Sequence, residues 1–396
     1  MDAIAKLLAH GPLPAAAVDL DAFEANVDLV AAAVRRAGKR LRLASKSIRS
    51  VALLARARDR AGDVVRGVMT YAAAETELLA RAGFRDLVLA YPTVLPADAA
   101  ELAAANAAGA LAAATVDDAD QLPPLAAAAR DAGTRIPVVI DVDMSLRSAG
   151  GLHLGVRRSP LHAAAPVVEL AARIASDPAL RFHGVMGYEA QIAGLPDRSP
   201  GHFPSPSSFL LKRFSRPAVA ALRTAVVAAL GARGLAPTIV NGGGSGSLES
   251  TGADPAVDEI TAGSAFLAGH LFDRYLGLDL RPSLVFALQV ARRPAPGIVT
   301  CHGGGYVASG AAGPDRLPLP VWPPGARLLP LEGAGEVQTP VRLPPGVELG
   351  LGDVVLFRHA KSGELAEHFP EYRLVRNGRV EERVATYRGD GRCFLG

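Results

Sequence analysis

The chain has 396 residues, of which 49% are hydrophobic and 20% charged; this excludes a disordered protein and suits a barrel-sized domain followed by a second domain. Its 42 basic and 39 acidic residues are scattered and leave a net charge of +3, which excludes a concentrated nucleic-acid-binding surface. Two cysteines, Cys301 and Cys393, cannot form a disulfide framework or a CxxC metal site, so we expect a cytoplasmic protein.

The first part of the chain alternates strand-like and helix-like segments. An apolar run at residues 15–20 precedes residues 21–37, where apolar side chains recur at helical spacing. A second strand at 41–44 is followed by a helix at 51–61. Further strand-like runs, most of them followed by Ala- and Leu-rich amphipathic sequence, lie at residues 67–71, 86–91, 110–116, 136–142, 182–188 and 237–241.

About eight strand–helix units over roughly 250 residues predict a closed (β/α)8 barrel of the TIM type, which we assign to residues 1–270. A doubly wound open sheet is the alternative, but no GxGxxG follows the first strand. The first residues of the chain form an apolar run that Asp2 and Lys6 interrupt, so we expect no targeting segment. The apolar Ala-rich window at 102–114 is too short for a membrane span.

The sequence changes character after residue 271. Pro and Gly become frequent, and short β-like runs appear at 284–291, 297–301, 354–357 and 372–375. The pair Asn377-Gly378 is a strong hairpin signal. We therefore predict an all-β domain over residues 271–396.

Lys46 is the first candidate for chemistry, because it follows the strand at 41–44 directly. A lysine at the mouth of a strand can be partly desolvated, and desolvation favours the neutral amine that attacks carbonyl groups. The alternative is an ordinary solvated lysine at a strand end.

Two glycine-containing strand ends are candidates for an anion site. Residues 241–247 read Asn-Gly-Gly-Gly-Ser-Gly-Ser, and glycines allow close backbone approach to a phosphate. Residues 259–264 form another strand-like run that ends in Gly263-Ser264, and late strands of a barrel often share a phosphate site. The alternatives are a flexible turn and a helix cap.

Other strand ends carry polar residues, where barrel enzymes place functional groups. These residues are Asp141, Asp143, Arg147, Tyr188, Glu189 and Gln191. Asp143 is equally consistent with a loop cap, and Arg147 with a salt-bridge partner.

With these segments in view, the chain resembles the fold-type III pyridoxal-phosphate enzymes, which are alanine-racemase-like barrels. Within them it is most similar to the D-threonine aldolase and D-serine dehydratase branch, including proteins described as amino acid deaminase/aldolase. The resemblance spans nearly the whole chain and is carried by residues 17–20, 41–50, 141–147, 184–191, 241–247, 259–266 and 358–365.

The resemblance implies roles for individual residues. Lys46 would hold pyridoxal 5'-phosphate covalently and act as a base, Arg147 would lie near the cofactor ring, and Tyr188 would lie beside the cofactor. The resemblance also implies a homodimer, with the active site between the barrel of one subunit and the β domain of its partner. The residues that it assigns to the cofactor's phosphate are Gly242, Gly243, Gly244, Ser245, Gly263 and Ser264.

The chain departs from this pattern at the expected metal site. The relatives carry a histidine with Asp or Cys two residues later, and here the segment is His359-Ala360-Lys361. His359 remains the candidate catalytic and metal-ligating residue, but an ammonium is a poor ligand. Either Glu364 or another residue completes a divalent-metal site, or the metal is absent and Lys361 acts itself; a buried histidine without catalytic role is the alternative for His359. Ala265 stands where many relatives have an aromatic residue.

The resemblance predicts a lyase that acts on small D- or β-hydroxy amino acids, foremost by retro-aldol cleavage of D-threonine-like substrates. D-serine-type dehydration is the close alternative, followed by racemisation, for which no second acid/base is evident. A non-catalytic pyridoxal-phosphate homeostasis protein is disfavoured by the β domain, and a sugar-phosphate barrel without the cofactor is a further alternative.

Overall fold

A computed structural model of the chain describes residues 1–147, 151 and 153–395. The strands in chain order are β1 (Ala15–Asp19), β2 (Arg40–Ala44), β3 (Val65–Thr70), β4 (Asp86–Leu89), β5 (Leu111–Val116), β6 (Ile136–Asp141), β7 (Leu146–Arg147), β8 (His153–Leu154), β9 (Leu180–Gly187), β10 (Ile239–Gly242), β11 (Glu259–Ala262), β12 (Leu284–Ala295), β13 (Ile298–His302), β14 (Leu319–Trp322), β15 (Arg327–Leu328), β16 (Gln338–Arg342), β17 (Val354–Arg358), β18 (Glu371–Arg376) and β19 (Arg379–Ala385).

The α-helices alternate with the strands through the first part of the chain, as the sequence pattern predicts. In chain order they are α1 (Asp2–Leu8), α2 (Leu20–Arg36), α3 (Val51–Ala61), α4 (Ala73–Arg81), α5 (Pro96–Ala107), α6 (Leu122–Asp131), α7 (Ala164–Ser176), α8 (Ala190–Ala193), α9 (Pro206–Ala232), α10 (Leu248–Gly252), α11 (Ser264–Leu267) and α12 (Ser362–Ala366). Within the described ranges, no helix combines the length and the apolar character that a membrane crossing needs.

Eight parallel strands close into a barrel, in the order β10-β11-β2-β3-β4-β5-β6-β9. Val88, Ala113, Val139, Met186 and Ile239 come from five of these strands and form a buried apolar cluster. The predicted (β/α)8 barrel is therefore confirmed. Since all eight strands are parallel, the residues that follow them emerge at one end of the barrel, where barrels of this type place their functional groups.

The apolar run near residue 15 belongs elsewhere, and its prediction as a barrel strand is wrong. Strand β1 pairs antiparallel with β12 and parallel with β18, and β11 takes the eighth place in the barrel. An apolar run shows that a strand is buried but does not identify its hydrogen-bonding partners.

The second sheet contains β1 together with β12–β19 and is mostly antiparallel. Helix α1 contributes Ile4 and Leu8 to the apolar core of this sheet, where they join Val285 and Leu356. The predicted hairpin at Asn377 is confirmed, because its positive φ of 51° and the adjacent Gly378 connect β18 to β19. The predicted all-β character of the later chain is confirmed as well.

The described residues form two compact units, each discontinuous in sequence. One contains Met1–Leu29, Ser47–Arg60 and Ser264–Cys393; the other contains Val30–Lys46 and Ala61–Gly263, together with residues 394–395. The division of the chain into domains at residues 270 and 271 stays a prediction.

Candidate active site

Lys46 lies immediately after β2, in a short 3-10 turn formed by Ser45–Ser47. Its side chain is exposed, whereas Ser45 beside it is buried and donates its hydroxyl to the Met69 carbonyl at 2.9 Å. The predicted partial desolvation of the Lys46 amine stays a prediction.

The two glycine-containing segments follow adjacent strands, as predicted, because β10 pairs with β11 and β11 pairs with β2. The backbone N–H of Gly263 donates to the Ser245 hydroxyl at 3.4 Å. A β carbon at Gly263 would lie only 2.4 Å from the carbonyl oxygen of Ala44, two residues before Lys46. Only glycine allows this approach of the two strand ends. Ser264 is the next residue and begins α11.

The triple-glycine turn is tightly enclosed. Gly243 has a φ of +78°, which favours glycine, and a β carbon at Gly244 would lie 3.3 Å from the Tyr188 ring. The N–H of Gly243 donates to Glu189 at 3.0 Å, and the N–H of Gly244 donates to the Ser247 hydroxyl at 3.1 Å. These two amides therefore shape the turn from within the protein.

Tyr188 follows β9, and burial, followed by the nearby Glu189 carboxylate, raises the pKa of its phenol. The guanidinium carbon of Arg158 lies 5.7 Å from the centroid of its ring. Arg158 also binds Asp141 at 3.0 Å, at the end of β6. Burial raises the pKa of Asp141 to about 6, against the opposing effect of Arg158. Sequence reasoning missed Arg158, because its partners Asp141 and Tyr188 lie far from it in the chain.

Arg147 lies in β7 and forms an ion pair with Asp143, through contacts that include a 3.1 Å bond from its Nε. Burial opposes ionisation of Asp143, but hydrogen bonds from Ser145 and Arg147 lower its pKa below the usual value. Arg147 is therefore a salt-bridge partner in this structure, and its predicted position near a cofactor ring stays a prediction. Gln191 is buried and donates to the Met144 carbonyl at 2.6 Å.

A polar layer crosses the barrel interior. Arg42 is fully buried and binds Glu259 through two hydrogen bonds of 2.6 and 2.9 Å. Asn241 donates to Glu259 and to the Thr261 hydroxyl, each at 2.8 Å. These bonds link β2, β11 and β10, the three strands that lead to Lys46 and to the glycine segments. Sequence reasoning missed this layer, because single polar residues within strands do not indicate their partners.

The predicted metal site lies in the other compact unit, at the end of β17. His359 is fully buried, its Nδ1 lies 3.2 Å from the Leu284 carbonyl, and burial lowers its pKa to about 3. Lys361 donates from Nζ to the Ser309 carbonyl and hydroxyl, at 2.8 and 3.1 Å. Glu364 accepts the Ser309 N–H at 2.9 Å.

These donors do not fit a divalent cation. A metal site needs several lone-pair donors around one point, whereas Lys361 brings a positive charge and donates hydrogen bonds. Over the described ranges, no three His, Cys, Asp or Glu side chains converge as metal ligands would. Ala265 is fully buried in α11.

An eight-stranded barrel joined to a second sheet, with a lysine and glycine turns at its strand ends, defines a class of barrels built like alanine racemase. The chain belongs to the family described as alanine racemase, N-terminal domain, whose family model matches residues 18–269. Membership of this family implies pyridoxal phosphate as cofactor. The residues fit this group: Lys46 is an exposed residue at a strand end, and the glycines at 243 and 263 allow the neighbouring turn and strand ends to pack closely beside it.

The proteins to which the chain is similar include two aldolases and, in fold alone, a dehydratase. The 3-hydroxy-D-aspartate aldolase of Paracoccus denitrificans is 29% identical over 63% of this chain, and the match spans only 59% of that relative's length. A D-threonine aldolase from Filomicrobium marinum has a similar structure, with a TM-score of 0.82, 25% identity and 96% of each chain covered. The D-threo-3-hydroxyaspartate dehydratase from Delftia sp. HT23 has a TM-score of 0.75 and 20% identity, covering 96% of this chain and 98% of its own, and shows the shared fold.

Proposed function

We propose that this protein is a pyridoxal-phosphate-dependent lyase that cleaves small D-β-hydroxy amino acids of the D-threonine type into an amino acid and an aldehyde. The observation that carries the proposal is the position of Lys46 directly after β2, beside a strand end where a β carbon at Gly263 would lie 2.4 Å from the Ala44 carbonyl oxygen. Similarity to a D-threonine aldolase over 96% of the chain supports the choice of reaction.

In this proposal Lys46 binds the cofactor covalently and moves the proton on the face of the substrate that it reaches. Bound pyridoxal phosphate supplies an electron sink for bond cleavage next to the amino group. The residues that would hold its phosphate are Gly242, Gly243, Gly244, Ser245, Gly263 and Ser264. Tyr188, whose ring lies against the glycine turn, would lie beside the cofactor. Arg147 would orient the cofactor ring.

His359 and Lys361 have a separate part in the proposal. Because their donor set does not fit a metal, we propose that Lys361 supplies the positive charge at the substrate that a metal supplies in other enzymes. Its ammonium is held in place by two hydrogen bonds to Ser309. His359, which is fully buried, supports the backbone of this segment through Leu284.

The test is a Lys46→Ala variant compared with Lys6→Ala, which removes an exposed lysine of α1. We expect purified wild-type protein to carry a chromophore that borohydride fixes on Lys46, and to release aldehyde from D-threonine. Lys46→Ala should lose the fixed chromophore and all activity, while Lys6→Ala keeps both. Full activity in Lys46→Ala would overturn the proposal. Release of ammonia in place of aldehyde would replace the aldolase by a dehydratase.

A further inference from the structure

A network of buried charges lies directly behind the triple-glycine turn. Glu189 follows Tyr188 at the end of β9, and its Oε2 accepts hydrogen bonds from the Gly243 N–H at 3.0 Å and from Arg223 at 2.7 Å. Its Oε1 accepts the hydroxyl of Thr251. The side chains of Glu189 and Arg223 are only 2% and 3% exposed, so water does not screen these contacts.

The same network reaches the next amide of the turn. The hydroxyls of Thr251 and Ser247 lie 2.9 Å apart, and the Ser247 hydroxyl accepts the N–H of Gly244. Two successive N–H groups of the turn are thus fixed, one directly by Glu189 and the other through Ser247 and Thr251. The orientation of this peptide segment depends on one carboxylate.

Arg223, on α9, holds that carboxylate in place. It binds Asp254 through Nη1 at 2.8 Å and the carbonyl of Gly187 through Nη2 at 2.8 Å. A β carbon at Gly242 would lie 2.7 Å from the same Nη2. The Arg223 guanidinium therefore occupies the space that a side chain at Gly242 would need. A side chain at that position would displace the guanidinium.

Stability is a weak explanation for such a network. Removing charges from water costs several kcal/mol per ion, roughly what the ion pairs return, and apolar side chains of similar volume often stabilise a protein equally well. What apolar side chains cannot do is accept the N–H groups of a turn. The network supplies that function at the segment proposed to receive the cofactor's phosphate.

We infer that Glu189, Arg223 and Asp254 act as positioning residues that hold the 242–244 turn in its phosphate-binding conformation. This inference rests on the proposed function, because it assigns the phosphate to that turn. The network does not touch the reacting atoms. Its proposed effect is a higher affinity for the phosphate group, which is independent of the bond to Lys46.

The experiment compares the affinities of the full-length apoprotein for pyridoxine 5'-phosphate and for pyridoxine, followed by ligand fluorescence. Neither ligand has an aldehyde, so Lys46 forms no bond and the comparison isolates the phosphate. In Glu189→Gln, which loses one charge-assisted acceptor, we expect the Kd for pyridoxine 5'-phosphate to rise roughly tenfold and that for pyridoxine to change less than about twofold. Glu249→Gln, which removes an exposed carboxylate of α10, is the matched control and should leave both values unchanged.

Thr251→Val provides a second, milder variant, which keeps the shape of the side chain and removes the hydroxyl; we expect a roughly threefold loss of affinity, again only for the phosphate ester. If Glu189→Gln does not fold, this variant decides the question. An equal loss of affinity for both ligands, or no loss of affinity in either variant, would overturn the positioning role. Binding of pyridoxine 5'-phosphate by the wild-type apoprotein would still support the proposed function in that case. Failure of the wild-type apoprotein to bind pyridoxine 5'-phosphate would overturn both.

Discussion

His183, on β9, is a buried histidine whose ring nitrogens both lack a hydrogen-bond partner within the described part of the chain. Burial, followed by the positive charge of Arg181, lowers its pKa from 6.5 to about 4. Between these two pH values the unfolded chain binds a proton that the folded chain excludes. Stability from this residue is therefore complete above pH 6.5 and is lost as the pH falls through that range.

Replacing His183 should make the free energy of unfolding depend less on pH below pH 6.5. At pH 5 the protonation of His183 in the unfolded chain costs roughly 2 kcal/mol of stability, so His183→Leu should gain about that much at pH 5 relative to its value at pH 8. The measurement is the denaturant midpoint at both pH values, with the exposed His10→Leu as control. An equal effect of His183→Leu at pH 5 and pH 8 would contradict the assignment.

Lys361 leads to a prediction about metals. An aspartate at position 361 would replace an ammonium by a carboxylate, which is a metal ligand, two residues after His359. We expect the wild-type activity to be unchanged by a chelator and by added Mn²⁺. Lys361→Asp should bind Mn²⁺ saturably, and Lys361→Ala should not. Loss of wild-type activity on chelation, with recovery on adding metal, would show that other residues hold a cation.

At the scale of elements, the barrel strands approach each other most closely at glycine. A β carbon at Gly184, on β9, would lie 2.1 Å from the Ile239 carbonyl oxygen on the neighbouring β10. Backbone cannot yield to such a contact without separating the strands. Strand β10 leads into the triple-glycine turn, so the packing of these two strands also determines where that turn lies.

We expect Gly184→Ala to destabilise the protein by roughly 1–3 kcal/mol, the usual cost of overpacking a core. Gly231→Ala is the matched control, since this glycine lies on the exposed side of α9 with no atom within 4 Å of an added β carbon. There the helix preference of alanine should stabilise the protein by about 0.5–1 kcal/mol. Thermal unfolding of both variants is the measurement, and a stable Gly184→Ala protein would show that the strands can separate.

At the scale of the whole molecule, each compact unit leaves large apolar side chains exposed. Phe203, Phe209 and Phe214 are more than 60% exposed in the barrel unit, and Leu331 is fully exposed in the unit that contains the second sheet. Such surfaces often mark contacts with another chain.

We therefore predict a homodimer, in keeping with the family resemblance. Light scattering on the purified protein should give about twice the chain mass of 40.9 kDa. If subunit contact completes the active site, specific activity should fall on dilution together with the average mass. A mass of one chain at the concentration that gives full activity would contradict the prediction.

Much of this architecture could be predicted from local sequence. Helical spacing predicted α2 and α3 to within a residue at each end, and Asn377-Gly378 located the hairpin, because turn geometry and amphipathic period are properties of neighbouring residues. The number of barrel strands was also correct. The two glycine-containing strand ends were predicted to be neighbours, because the carboxyl ends of parallel barrel strands lie at the same end of the barrel.

The sequence by itself therefore determined the barrel, the β-rich later chain, the family and the candidates Lys46, Gly243 and Gly263. Tertiary structure alone decided that β1 leaves the barrel, that Lys46 is exposed, and that Arg223 reaches Glu189 behind the glycine turn. The physical reason is that paired strands, and the two members of a buried ion pair, are often far apart in the sequence. Local periodicity shows that a residue is buried, and only the packed structure shows what it contacts.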